Sequence, residues 1–186
     1  MACPGAALSC RPMFVRRKLW LIRLLAVPIG FVVITVGLFV IPPTGKAPHA
    51  DAVVLFDEGT GIRLATAVHL VETGAAPVLV ISYGPNRPQD CLTGPANVQV
   101  VCFSPDPDST QGEARQIAAL AAEHHWSSLI FVTDTAHVFR ARFRLERCFD
   151  GKLIAMTSHL TPREWVFRLG YEWVATAKAL LVQRNY

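Results

Sequence analysis

The chain has 186 residues, enough for one domain with attachments, and its net charge of +4 is unevenly placed. Residues 1 to 23 hold five of the 18 Lys and Arg (Arg11, Arg16, Arg17, Lys18, Arg23) and no acid, so the remainder carries 13 basic and 14 acidic residues, a net of −1. The positive excess belongs to an arm, which excludes a nucleic-acid footprint on the folded part.

After the arm comes LLAVPIGFVVITVGLFVI, Leu24 to Ile41, 18 residues without a charge. At ~1.5 Å per residue this is roughly 27 Å, close to the hydrocarbon core of a bilayer. Pro28 and Gly30 are tolerable in lipid, and Pro42-Pro43 stop the helix at its far end. A cleaved signal peptide is the rival reading. The run exceeds the usual apolar core of such signals, and Ala47-Pro48-His49-Ala50 is a poor cleavage site because Pro48 would occupy the −3 position, so an uncleaved anchor is expected. Arg16-Arg17 also resembles a weak twin-arginine signal, which leads to the same face. Five positive charges before the run, against Lys46 alone just after it, place the N-terminus in the cytoplasm. The expected organisation is a basic cytoplasmic arm over 1–23, a transmembrane helix over 24–41, a linker over 42–49 and an extracytoplasmic domain over 50–186.

In that domain the apolar run 52–56 predicts a buried first strand. Asp57, Glu58, Gly59, Thr60 and Gly61 form a polar loop, and Ile62, Ala65, Val68 and Val71 recur at helical spacing up to a stop at Gly74. Residues 78–82 predict a second strand, parallel to the first. A Pro/Asn/Gly-rich loop over 85–96 leads to a third strand over 98–103. Asp108 or Ser109 can cap the next helix, with Glu113 suited to its positive end and Ile117, Leu120 and Ala121 as its apolar stripe.

The stretch Ser127 to Cys148 then reads as a buried strand, Leu129 to Val132, feeding a helix. Thr133, Asp134 and His137 fall at the junction, where the carboxyl ends of strands in an open α/β sheet form the usual ligand crevice. Arg140 lies one turn after His137 and shares its face, which points to an anionic or strongly polar ligand. Arg142, Arg144 and Arg147 read as a solvated face, and His124-His125 as surface at the opposite edge. A fifth strand over 152–157 precedes a last helix opened by Thr161-Pro162, whose Trp165, Val166, Leu169, Trp173, Val174, Ala177 and Leu181 are expected to pack on the sheet. The fold class is α/β: a Rossmann-like, mostly parallel sheet of about five strands with helices on both faces, preceded by one transmembrane helix.

Outside the cytoplasm thiols can oxidise, and Cys91 and Cys102 bracket a short loop able to close as a disulfide. Cys148 reads as a buried small apolar residue. No paired His/Cys spacing supports a zinc site.

Three motifs in order carry a resemblance to the YdcF-like family, which includes the SanA- and ElyC-type envelope proteins. They are an apolar strand with a polar loop and Arg63; the run Asp108, Thr110, Glu113, Ala114; and Val132-Thr133-Asp134 followed by His137 and Arg140-Ala141. The resemblance covers about residues 50 to 157. It implies a Rossmann-like fold with these polar groups at the carboxyl edge and, for anchored members, a role in envelope maintenance; one soluble member is associated with S-adenosylmethionine binding. Phe56-Asp57-Glu58-Gly59 stands where the family tends to have a Gly-rich turn; this departure speaks against phosphate cradling by that loop, and its acidic pair could hold a metal or simply be solvated.

Two readings follow. One is an enzyme acting on a polar or anionic envelope precursor, with His137, Glu113 and Asp134 as proton-transfer groups. Asp57, Gly59, Arg63, Ser82, Asp108, Thr110, Thr133 and Arg140 would be its ligand contacts. It has no G-x-S-x-G, P-loop or H-E-x-x-H motif, so Ser82 or Thr133 would serve as a nucleophile only if placed against His137. The other is a non-catalytic module that binds a lipid-linked ligand, a protein or a nucleotide-type molecule in the same crevice. No cofactor is named by the sequence.

Overall fold

In a parallel sheet covered on both sides, strands are apolar at every position rather than alternately, and period two then sorts each strand between two cores. The computed structural model follows that rule. It describes residues 13–46, 49–56, 61–84, 95 and 98–183. Five strands, β1 (Ala52–Leu55), β2 (Val78–Ser82), β3 (Gln99–Phe103), β4 (Ser128–Asp134) and β5 (Lys152–Ser158), pair in the order β3-β2-β1-β4-β5, and every pairing is parallel. This is the expected Rossmann-like α/β sheet; its third strand begins one residue later than predicted.

Val53, Leu55, Leu79, Ile81, Ile130 and Val132 point to one face, where Ala67, Leu70 and Val71 of helix α2 (Gly61–Glu72) cover them. Ala52, Val54, Val80, Leu129 and Phe131 point to the other. There they meet Ala114, Ile117 and Ala121 of α3 (Thr110–Glu123) and Val138, Ala141 and Leu145 of α4 (Val138–Leu145). A single 3-10 turn, Thr135–His137, joins β4 to α4.

The chain divides into two units, Met1–Gly37 and Leu38–Tyr186. The first holds α1 (Met13–Thr35), which continues into a π-helical turn, Val36–Val40. The window Arg23–Val40, 18 residues with mean hydropathy 2.3, is long and apolar enough to cross a membrane, and it is the one such span among the described residues. The second unit begins inside the π turn. Phe39 is fully buried and meets Trp173 edge to face at 5.4 Å, a burial that contributes about 2–3 kcal/mol. Pro42 is also buried, and the Gly45 amide donates to the Ala155 carbonyl at 3.2 Å. A Cβ at Gly45 would come within 2.9 Å of Ile154, so the chain lies tight on β5 there.

The last helix, α5 (Pro162–Leu181), departs from expectation. Thr161 and Glu164 form a capping box, and Pro162 opens the helix as its fixed φ favours. Its inward residues, however, are Glu172, Thr176 and Ala179, while Val166, Val174, Ala177 and Leu181 face solvent. The helix packs against the Thr135–His137 turn and α4, over the polar carboxyl edge rather than the apolar sheet face. A helix so placed must turn a polar stripe inward, which inverts the usual pattern.

Candidate functional site

Strand order reverses between β1 and β4, and the crevice beyond their carboxyl ends is where open α/β sheets bind ligands. β4 delivers Thr133 and Asp134 to that point, and the turn after it brings back His137. Asp134 Oδ1 accepts the His137 backbone N–H at 3.0 Å and so caps the turn. Asp134 Oδ2 lies 2.9 Å from Arg168 and 4.0 Å from Arg63, charge-paired with both but without hydrogen-bond angles. Arg63 is itself buried and donates to the Phe56 carbonyl at 3.3 Å.

His137 is buried behind Phe56, whose ring it meets edge to face. Its Nδ1 lies 2.9 Å from Thr133 Oγ1 and its Nε2 3.5 Å from Thr110 Oγ1. Burial, then the nearby charges of Arg140, Arg168 and Arg63, hold its pKa well below the usual value for histidine, so the ring is neutral. A neutral imidazole has one nitrogen free to accept a proton. Thr110 connects it to the next group: Arg140 Nη1 donates to Thr110 Oγ1 at 2.5 Å. Arg140 Nε and Nη2 donate to Glu172 Oε2 and Oε1 at 2.8 and 2.9 Å, a bidentate fork held between α4 and α5. The Tyr171 ring lies 5.6 Å from the same guanidinium. Burial alone would lower the Arg140 pKa; Glu172, through hydrogen bonds and charge, more than offsets it and raises it.

These groups open into a cavity of about 330 Å³. Ser82 from the end of β2, Asp108, Ser109, Thr110 and Glu113 from the start of α3, and Arg144, Arg168 and Lys178 line it with His137 and Arg140. Charged side chains on its wall are Arg140, Arg144, Arg168 and Lys178 against Asp108 and Glu113. The N-terminus of α3 adds the positive end of its dipole. A second, more apolar hollow of about 760 Å³, lined by Ile62, Arg63, Asp134, His159 and Phe167, lies beyond Arg168 and Tyr171, which line both.

Of the residues singled out from sequence, Ser82, Asp108, Thr110, Glu113, His137 and Arg140 share the first cavity, while Thr133, Asp134 and Arg63 stand behind it. Asp57 and Gly59 lie outside the described residues. Of the two capping residues expected, Ser109 is the N-cap, its hydroxyl accepting from Gly112 N at 3.3 Å. Asp108 stays exposed at the cavity rim and Thr110 is the first helical residue. Thr133, not Ser82, is the one set against His137, and it is wholly buried; Thr110, partly exposed, touches the ring from the cavity side.

The arginine helix was expected to be a solvated face, and only Arg147 is exposed. Arg144 is buried and donates to the Gln183 carbonyl at 3.0 Å and to its side-chain oxygen. Arg142 lies half-buried over the Phe131 ring. Sequence reasoning missed Arg168, Glu172 and Lys178. Their signal was the polar stripe Arg168, Glu172, Thr176, spaced by four in an otherwise apolar helix.

Cys102 is disulfide-bonded; Cys91 lies outside the described residues. Cys148 is a free, half-buried thiol whose pKa burial raises. Among the described residues no group of three His, Cys, Asp or Glu gathers to hold a metal ion. No protein-family model matches this chain, and neither does any curated protein or solved structure.

Proposed function

We propose that the carboxyl-edge cavity binds an anionic group, of phosphate or pyrophosphate type, on a polar envelope precursor. In this reading Arg23–Val40 anchors the chain with its N-terminus in the cytoplasm and its folded unit outside, in the service of envelope biogenesis or maintenance. The observation that carries it is the charge of the wall: four basic side chains against two acids, beside the N-terminus of a 14-residue helix. The motif order shared with the YdcF-like family and the apolar helix support the envelope setting.

Thr110 gives the cavity its reactive character. Its hydroxyl oxygen takes a hydrogen bond from Arg140, so its proton is free to turn toward His137 Nε2, 3.5 Å away, in the tautomer that carries its proton on Nδ1. His137 would accept the proton of that hydroxyl, or of a water in its place, as the oxygen bonds to a phosphorus of the ligand and the phosphorus–oxygen bond to the leaving phosphate breaks, the departing oxygen taking the negative charge toward Arg144 and Lys178. Glu113, buried on the same wall, is the second acid or base.

The runner-up is a binding module without chemistry. It is favoured by the pairing of Arg140 with Glu172 and of Arg168 with Asp134, and by a Thr110 to His137 contact at the 3.5 Å limit of hydrogen bonding.

Calorimetric titration of the full chain in detergent with inorganic pyrophosphate, an isoprenyl pyrophosphate and a nucleoside diphosphate tests the reading. Pyrophosphate is expected to bind, and Lys178→Gln to weaken it about tenfold, the worth of one charged hydrogen bond. Preference for the isoprenyl compound marks a lipid-linked ligand; preference for the nucleotide marks the nucleotide-type alternative. No binding of any of the three sinks the proposal. His137→Gln separates the two readings: an enzyme loses function in cells while still binding, and a module keeps both. A reporter fused after Tyr186 that works only outside the cytoplasm checks the orientation.

A further inference from the structure

We infer that the outward face of α5 lies on the membrane surface, with its apolar side chains seated among lipid headgroups and upper acyl chains. This rests on the reading that Arg23–Val40 spans the bilayer. Val166 is 79% exposed, Phe167 81%, Val174 72% and Leu181 67%, and they recur at the spacing of one helix face. A soluble domain rarely leaves a helix face so apolar without a partner.

The charges select the partner. Arg163 stands exposed on this face, and Lys178 is exposed at its border with the cavity, so both charges beside the apolar residues are basic. The two acids of the helix are engaged elsewhere: Glu164 accepts the Thr161 amide and hydroxyl in the capping box, and Glu172 is buried against Arg140. An apolar face flanked by cations and free of acids suits an interfacial helix on anionic lipid.

Chain continuity supplies the position. The apolar window ends at Val40, and its last residues already belong to the folded unit. Phe39 is buried against Trp173 of α5, Pro42 is buried, and Gly45 is hydrogen-bonded to β5. The end of the apolar window thus enters the folded unit beside α5, and in this proposal Trp173 takes the interfacial depth tryptophan prefers.

The same helix presents Arg168, Tyr171 and Lys178 to the cavity. Lipid face and cavity wall then meet along one helix, no further apart than its diameter of ~10 Å. A headgroup-borne phosphate could enter without its chain leaving the bilayer.

The test uses the full chain in vesicles of phosphatidylethanolamine and phosphatidylglycerol that carry a phospholipid with a diazirine beside its headgroup. After photolysis, adducts are mapped by mass spectrometry. Adducts are expected within 23–40 and on the outward residues of α5, and Phe167→Glu with Val174→Glu should abolish the second set and spare the first. Labelling of 23–40 without α5 would overturn the inference and leave the span standing. Absence of adducts in 23–40 would overturn the span and the inference with it. Cross-linking of α5 faces between two copies, with α5 unlabelled by lipid, would assign the face to self-association and reject the membrane.

Discussion

The two edges of the sheet treat a carboxylate in opposite ways. At the amino edge, Asp51 enters β1 and places one oxygen, Oδ2, against the amides and hydroxyls of Ser127 and Ser128, at 2.7 to 3.1 Å. Those serines lead into β4, the strand paired with β1, so the carboxylate pins the register of Ala52 to Leu129. At the carboxyl edge, Asp134 and Glu172 are met by arginines from distant helices, Arg63, Arg168 and Arg140. A carboxylate satisfied by neighbouring main chain is a clamp with nothing to offer a ligand. One satisfied by long side chains across a cavity holds charge in place on a wall. The difference separates structural polarity from candidate chemistry in one sheet.

The largest break in that comparison is expected at Glu172, which is fully buried. Glu172→Ala leaves Arg140 buried without its partner, and urea unfolding should show a loss of about 3–5 kcal/mol. Arg140→Met with Glu172→Leu removes both charges and should recover most of that loss while pyrophosphate binding does not return. Recovery of binding in the double variant would show that Arg140 is architecture alone. Gly112→Ala comes next. A Cβ there would lie 2.0 Å from the Pro107 carbonyl oxygen, so the loop before α3 must shift. A loss of about 1–3 kcal/mol is expected, together with weakened ligand binding, because that loop carries Asp108 and Ser109 to the cavity.

How much of this was legible follows from which rule each segment obeys. The strands were readable because both faces of a parallel sheet are buried and the runs 52–56, 78–81 and 129–132 have no polar interruption. The heart of the site was readable because strand ends concentrate ligand contacts and because His137 and Arg140 are one helical turn apart. α5 was misread, since its apolar period is real but faces outward: periodicity gives a face, and only the packing gives its direction. Arg144 was misread for the same reason, with its partner Gln183 39 residues away. No local pattern could announce that Arg140 would fork onto Glu172 across 32 residues.

His137 sharpens the comparison through pH. Its folded pKa is depressed below the ordinary 6.5, so below pH 6.5 the unfolded chain takes up a proton that the folded chain refuses. Stability from this group is whole above pH 6.5 and falls as pH drops toward the folded pKa, by up to about 1.4 kcal/mol per pH unit. Unfolding curves of His137→Gln should lack that slope. A slope unchanged by the substitution would mean that the ring is accessible to protons and is not the neutral acceptor the cavity needs.

Asp51 gives the smallest effect and the cleanest control. Its pKa is lowered below 3.8, first by the Ser127 amide and, against some burial, by both Ser128 groups and the Ser127 hydroxyl. A depressed carboxylate stabilises the fold above the unfolded value and loses that contribution as pH falls below about 4 toward the folded value. The group is only partly buried, so Asp51→Asn should cost only about 1 kcal/mol at neutral pH. It should also remove part of the acid limb and leave pyrophosphate affinity unchanged, since the clamp and the cavity occupy opposite ends of the strands. If Asp51→Asn weakened ligand binding as much as Lys178→Gln, the register of β1 on β4 would be what positions Thr133 and His137. The two edges would then be one mechanical unit rather than a clamp and a site.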